Sequence, residues 1–126
     1  MPLIQVNLLS KSPKFIQDLG DNLHQSLMKT WGIPVDDRFH IFHQKQEHEL
    51  KINPVIFGVN RSKDVILLHI TSTPRSRKMK LDFYQDLTER LEQNMNIRPQ
   101  DIFISIIENT QEDWSFGNGK AQLLTN

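Results

Sequence analysis

The 126-residue chain reads as an α/β protein of the α+β kind: a duplicated β-α-β unit, combined into one four-stranded sheet with two helices on one face. Three observations predict this. The sequence repeats at a constant, gap-free offset of 64 residues, visible from Ser12/Ser76 to Phe39/Phe103, and a fixed period marks a duplicated structural unit. Each half holds one apolar stripe of helical period flanked by two apolar runs of strand length. A helix between two strands of one sheet makes those strands parallel. Neither half is large enough to bury its apolar face alone. The expectation is therefore one domain over residues 1–126, with pseudo-repeats of roughly 2–63 and 64–126.

In chain order, Leu3 to Leu9 is the first strand. Ser12 is a natural helix N-cap, and Pro13 suits the first helical position. Leu19, Leu23, Leu27 and Trp31 follow at four-residue spacing, so they line one helical face, and Gly32 ends the helix. His40-Ile41-Phe42 forms the second strand. The link from Phe42 to Asp64 is polar, with turn signals at Asn53-Pro54 and Gly58, and reads as a short hairpin and loop. The second half repeats the scheme: strand Val65 to Ile70, cap Ser76, stripe Phe83, Leu87, Leu91 and Met95, stop at Asn96, strand Ile102 to Ile107. Met79, Leu87 and Met95 belong to the helix core. Ile33/Ile97, Asp37/Asp101 and Phe39/Phe103 continue the pairing. After Asn109 the chain is irregular and contains glycines, with a short strand expected near Ala121 to Leu124. The strands at Val65 and Ile102 are apolar at nearly every position, which predicts burial on both faces. Two helices cover only one face, so a second subunit is expected on the other.

Composition removes several function classes. Lys plus Arg and Asp plus Glu number 15 each, so no basic field calls for nucleic acid. There is no cysteine, which excludes disulfides, thiolate chemistry and cysteine-zinc sites. No apolar run approaches the ~18 residues of a membrane span, and the start lacks a signal peptide's charged and apolar regions. The expected setting is the cytoplasm, with no membrane partner. His40 and His43 lie three apart, which a strand puts on opposite faces, and His48 sits in a polar loop. No metal site and no cofactor are expected.

The chemistry-bearing residues begin with Pro2. Removal of Met1 would leave a secondary amine on a rigid ring, a titratable group that burial and neighbouring charge can tune. Arg75 precedes Ser76 at a helix start, where unpaired N–H groups and a guanidinium together suit a carboxylate. Thr73 lines the same approach. Asp37 is either a loop-to-strand cap or a carboxylate that serves an amine; because Asp101 is its repeat mate, at least one of the two is structural. Asp36 is a lesser candidate, and Arg38 reads as a structural ion pair or subunit contact. Trp114 and Phe116 flank Ser115 among small polar residues, and either wall a pocket or pack on a neighbouring subunit.

The duplicated pattern that starts at Met-Pro resembles the tautomerase superfamily. Gly32-Ile33-Pro34-Val35-Asp36-Asp37-Arg38-Phe39, Pro74-Arg75-Ser76 and Asn109 to Ala121, with its Asp113-Trp114-Ser115-Phe116-Gly117 core, are similar to the malonate semialdehyde decarboxylase-like branch. The resemblance spans essentially the whole chain. It implies a homotrimer and a small carboxylate substrate. Pro2 would be the catalytic amine, Asp37 its assistant and Arg75 the carboxylate grip, with Thr73, Trp114 and Phe116 contacting substrate. Members of the branch decarboxylate malonate semialdehyde, hydrate acetylenic acids, or ketonise enols such as phenylenolpyruvate. The decarboxylase pattern has an arginine on both sides of the proline before the second helix; this chain has Thr73 and Arg75. The superfamily also resembles macrophage migration inhibitory factor, which leaves a binding or signalling module as the alternative from another class.

Overall fold

The computed structural model describes residues 1–124 and contains the β-α-β unit twice. The first is β1 (Leu3–Leu9), α1 (Pro13–Trp31) and β2 (His40–Lys45). A 3-10 turn at Glu47–Glu49 leads to a hairpin, β3 (Val55–Ile56) and β4 (Val59–Asn60). The second unit is β5 (Ile66–Ser72), α2 (Arg77–Met95), a 3-10 turn at Pro99–Asp101 and β6 (Ile102–Glu108). The helix starts follow from their caps. Ser12 Oγ accepts the Phe15 N–H and Ser76 Oγ accepts the Met79 N–H, each at 3.1 Å. Both helices end on a left-handed residue, Gly32 at φ 66° and Asn96 at φ 56°, conformations that glycine and asparagine adopt most readily.

The sheet order is β2-β1-β5-β6. β1 and β2 are parallel, as are β5 and β6, and the central pair β1–β5 is antiparallel. Register repeats with sequence: Ile4 lies opposite His40, and Leu68 opposite Ile104. Gln5 lies opposite His69. These two are repeat mates, so an approximate two-fold axis passes between them. Both helices lie on one face. There Leu19, Leu23, Leu27, Phe83, Leu87 and Leu91 pack on Ile4, Val6, Leu8, Ile66, Leu68 and Ile70, all buried. Burying each such side chain contributes roughly 1.5–3 kcal/mol.

In the single chain one sheet face is uncovered, as the expectation of a second subunit there requires: β5 alternates in burial, and every residue of β6 is half-buried or exposed. The cause is that both helices occupy the same face, which leaves Ile41 45% and Ile107 50% exposed. The expected strand near Ala121 to Leu124 is instead a 3-10 turn at Gln122–Leu124. Gln122 holds that segment back on the preceding loop, its side chain accepting the Phe116 N–H at 2.9 Å and donating to Gly117 O at 2.8 Å. The expected hairpin in the link is present. Its turn residues Phe57 and Gly58 both have positive φ, the backbone of a two-residue hairpin loop, and Phe57 is 97% exposed. Among the described residues, no helix is long and apolar enough to cross a membrane.

Candidate active site

Strand pairing brings the chain start to the middle of the sheet's end. Pro2 is buried immediately before β1. Leu3 lies opposite Thr71, so the antiparallel register leads the chain start toward Ser72 and Thr73. On the other side, the Ile4 N–H donates to Phe39 O at 2.9 Å, which ties β1 to the segment carrying Asp37. That segment is a tight turn closed by the Asp37 N–H on Pro34 O at 3.1 Å.

Asp37 is 7% exposed, and its Oδ1 is buried with no hydrogen-bond partner among the described residues. A buried carboxylate oxygen without a donor is costly, and such a group in a folded protein calls for an explanation, a ligand, a reacting proton or a bound water among them. Its repeat mate is the control. Asp101, 3% exposed, accepts the Ser62 N–H and the Ser62 hydroxyl, both at 2.7 Å. The same position is thus an internal staple in one half and an unpaired acceptor in the other.

Arg75 is half-buried at the mouth of α2. Its backbone N–H donates to Glu108 Oε2 at 2.8 Å, and its Nε donates to Ser72 Oγ at 3.2 Å. Its guanidinium lies over the Trp31 ring, 5.2 Å from the centroid. Among the described residues it makes no salt bridge, so its terminal nitrogens carry an uncompensated charge suited to a carboxylate. The α-amino group, on Met1 in this chain, feels both side chains. Burial and then the Arg75 cation hold its pKa below the ordinary value, while Asp37 pulls the other way. An amine between a cation and a carboxylate has its protonation set by small changes in either.

The approaches are aromatic and polar. Trp114 Nε1 donates to Asn109 Oδ1 at 2.7 Å. Trp114 stacks on Phe116 at 5.6 Å, and Phe116 on Phe39 at 6.3 Å. The ladder therefore runs from the last loop to the residue whose carbonyl anchors β1. Phe116 is 40% and Phe39 41% exposed, so this wall is open in a single chain. Thr73 is half-buried and opens onto a cleft of about 510 Å³ with Pro74, Thr110, Gln111, Glu112 and Leu124. The residues lining that cleft do not include Pro2, Asp37 or Arg75.

The remaining sequence candidates fall outside this cluster. Arg38 pairs with Asp21 at 2.9 Å, and Asp36 is exposed. His40 packs under α1 beside His24 and Phe42, whereas His43 meets Gln5 Oε1 at 2.9 Å. Among the described residues, no group of three or more His, Asp or Glu side chains could hold a metal ion. Sequence reasoning did not single out Phe39, Trp31 or Ser72. Phe39 looked like an ordinary repeat mate of Phe103, and Trp31 like the end of a core stripe. For Ser72 a signal existed: a serine where the other half has Leu8.

The repeat-related end of the domain has a cleft of about 350 Å³, whose lining includes Lys11, Asp64, Ile66 and Asp101. Ile66 stands where the first half has Pro2, so its nitrogen is an amide. Lys11, the mate of Arg75, is paired with Asp64 at 2.7 Å. One end of the domain thus keeps its charges available, and the other neutralises them.

A family model described as "Tautomerase enzyme" matches residues 37–117. The chain belongs to the tautomerase family. It is 36% identical over 126 residues to the probable tautomerase YrdN of Bacillus subtilis, covering 99% of this chain and 98% of that protein. A solved malonate semialdehyde decarboxylase, described with decarboxylase and hydratase activities, superposes with a TM-score of 0.91 at 34% identity, covering 97% of this chain and 95% of that one. Another, inhibited by 3-bromopropiolate, gives 0.87 at 31% identity, covering 95% and 92%. A symmetric trimer of fused 4-OT shares the fold at 0.76 and 14% identity, covering 98% and 99%. The chain is an enzyme of the tautomerase superfamily, similar to malonate semialdehyde decarboxylase.

Proposed function

We propose that this tautomerase-family enzyme works without a cofactor on small carboxylate substrates, through Pro2 exposed as a secondary amine after loss of Met1, with decarboxylation of malonate semialdehyde or a related hydration as its reaction. The carrying observation is that Asp37, whose buried Oδ1 has no partner among the described residues, and Arg75 both act on the N-terminal amine. In the decarboxylation, Arg75 grips the carboxylate and the Pro2 cation hydrogen-bonds to the aldehyde oxygen. The bond between the carboxylate carbon and its neighbour breaks, carbon dioxide leaves, and the enolate takes a proton to give acetaldehyde. Stabilising that developing oxyanion is the main task. Asp37 holds the amine protonated or orients water. Thr73 supplies a neutral hydrogen bond to the substrate, and Trp114 and Phe116 keep water from the reacting atoms, which strengthens the charge interactions.

A second reading is favoured by one observation. Burial and Arg75 lower the pKa of the N-terminal amine, which suits a neutral base that moves a proton between carbon and oxygen, as in ketonising an enol acid such as phenylenolpyruvate. The pH profile separates the two. A neutral base gives kcat/KM rising with pH through the amine pKa, and a cation gives it falling. The first test uses mature, untagged protein against both substrates. Pro2→Ala should lower kcat/KM by about two orders of magnitude or more with the thermal midpoint unchanged. Retained activity on both substrates would sink the assignment of Pro2, and a parent protein inactive on both would favour a binding role.

We also propose a homotrimer, in which the uncovered sheet face with Ile41 and Ile107 meets neighbouring subunits. The uncovered apolar area of the single chain supports it, because large exposed apolar patches mark association surfaces. Sedimentation equilibrium should give three times the chain mass, and a stable monomer would reject it.

A further inference from the structure

We infer that Ser72 and Trp31 are positioning residues that aim the Arg75 guanidinium at the substrate carboxylate; this rests on the role proposed above for Arg75. Three observations converge. Ser72 is fully buried, and its hydroxyl is shared between two duties: it donates to Thr73 O at 2.8 Å and accepts the Arg75 Nε–H at 3.2 Å. Trp31 lies beneath the guanidinium at 5.2 Å, its ring locked by Nε1 donating to Met79 O at 3.0 Å and by Phe83 at 5.3 Å. Glu108 meanwhile fixes the backbone of Arg75 through its N–H. Nε is held and the planar group lies over an aromatic face. With Nε so held, the two terminal nitrogens, in no salt bridge among the described residues, are left as a fork of the kind that binds a carboxylate through two parallel bonds.

The duplicated half supplies the control. At the positions of Arg75, Ser72 and Trp31, 64 residues earlier or later, stand Lys11, Leu8 and Met95. Lys11 is tied to Asp64, and Leu8 is ordinary buried core. Ser72 and Trp31, one from each half, thus meet at the end of the domain where the cation makes no salt bridge among the described residues, and Leu8 and Met95 replace them at the end where it is neutralised. A hydroxyl buried in a strand of leucines and isoleucines carries a desolvation cost that an alanine or leucine would avoid. Core packing alone gives no reason for it.

The experiment is a double-mutant cycle. Ser72→Ala and Trp31→Phe are each made alone and with Arg75→Ala, and steady-state kinetics are read with the thermal midpoint as a check on folding. Each single variant should raise KM about tenfold, the size of losing one hydrogen bond to a charged group, while kcat changes far less. In the Arg75→Ala background neither substitution should have a further effect, because each acts through Arg75. Full, additive losses in that background would overturn the inference. Ser72→Thr, which keeps the acceptor, should restore much of the affinity; failure to do so also counts against it. If Arg75→Ala itself leaves kcat/KM unchanged, the functional reading of Arg75 falls. The aiming is then tested by nitrogen NMR of the Arg75 Nε–H. Its hydrogen exchange should speed up in Ser72→Ala, and an unchanged rate would reject the contact.

Discussion

Asp37 and Asp101 show how one residue type, in one place of a repeated fold, takes two jobs. Asp101 is bonded twice to Ser62; Asp37 Oδ1 has no hydrogen-bond partner among the described residues. Asp37→Asn should therefore leave the thermal midpoint near wild type while lowering kcat/KM by about 100-fold or more, the scale of a lost acid–base partner. Asp101→Ala should do the reverse. It strands the Ser62 donors and costs about 1–3 kcal/mol in urea unfolding, with activity per folded molecule unchanged. Much of the candidate site was legible at this scale. Pro2, Arg75 and the Trp114–Phe116 pair stand in recognisable local contexts. Asp37 could be paired with Asp101 in sequence, but which of the two is capped depends on Ser62, a loop residue 39 positions from Asp101. Phe39 and Trp31 were not legible because their partners are distant in sequence: Trp31 bonds to Met79 across 48 positions. Ser72 differs, since its partners Thr73 and Arg75 are neighbours and its signal was a serine where the other half has Leu8.

At the scale of elements, the helices were the easiest to read, because capping is a local chemistry. Ser12 and Ser76 begin them, and Gly32 and Asn96 end them, as the sequence suggests. Ser12→Ala and Ser76→Ala should each cost about 1 kcal/mol of unfolding free energy and add in combination, since the two caps share no partner. Ser76→Ala should also raise KM, because it loosens the turn that carries Arg75, and Ser12→Ala should not. Chemical denaturation and steady-state kinetics on the three variants check both statements. Strand extents were less legible. β2 runs to Lys45 rather than Phe42 because Asn7, Leu8 and Leu9 supply pairing partners that its own polar sequence, His43-Gln44-Lys45, does not advertise. The closing segment was misread as strand because Leu123 and Leu124 look apolar, while the Gln122 side chain fixes a turn there.

The whole molecule carries a pH dependence that no single element implies. His40 sits between β2 and α1, with Arg38 and His24 near it, and Gly20 and Phe42 against its ring. Burial, then Arg38, then His24 push its pKa down to about 4, with Asp21 opposing weakly. The folded state therefore keeps His40 neutral where the unfolded chain has begun to take up a proton. Between pH ~6.5, the ordinary histidine value, and about 4, the unfolded state binds more protons, and stability falls as the pH falls. The thermal midpoint should decline across that window, and His40→Gln should flatten the decline. An unchanged slope in that variant would assign the effect to other groups.

The two halves share a backbone but differ in topology at one point, the place where β1 begins and β5 is entered. The first has the Met1–Pro2 bond there, whose loss is proposed above to free an amine, and the second has the peptide bond from Val65 to Ile66. An amide nitrogen cannot be protonated near neutral pH and cannot be alkylated by a mild electrophile. On the proposed mechanism the reactive secondary amine is that of Pro2. On mature protein, an electrophilic acid that labels secondary amines should saturate at one equivalent per chain, however many clefts it can enter. At the repeat-related end, Lys11 and Asp64 are instead joined in an ion pair that ties one half of the domain to the other.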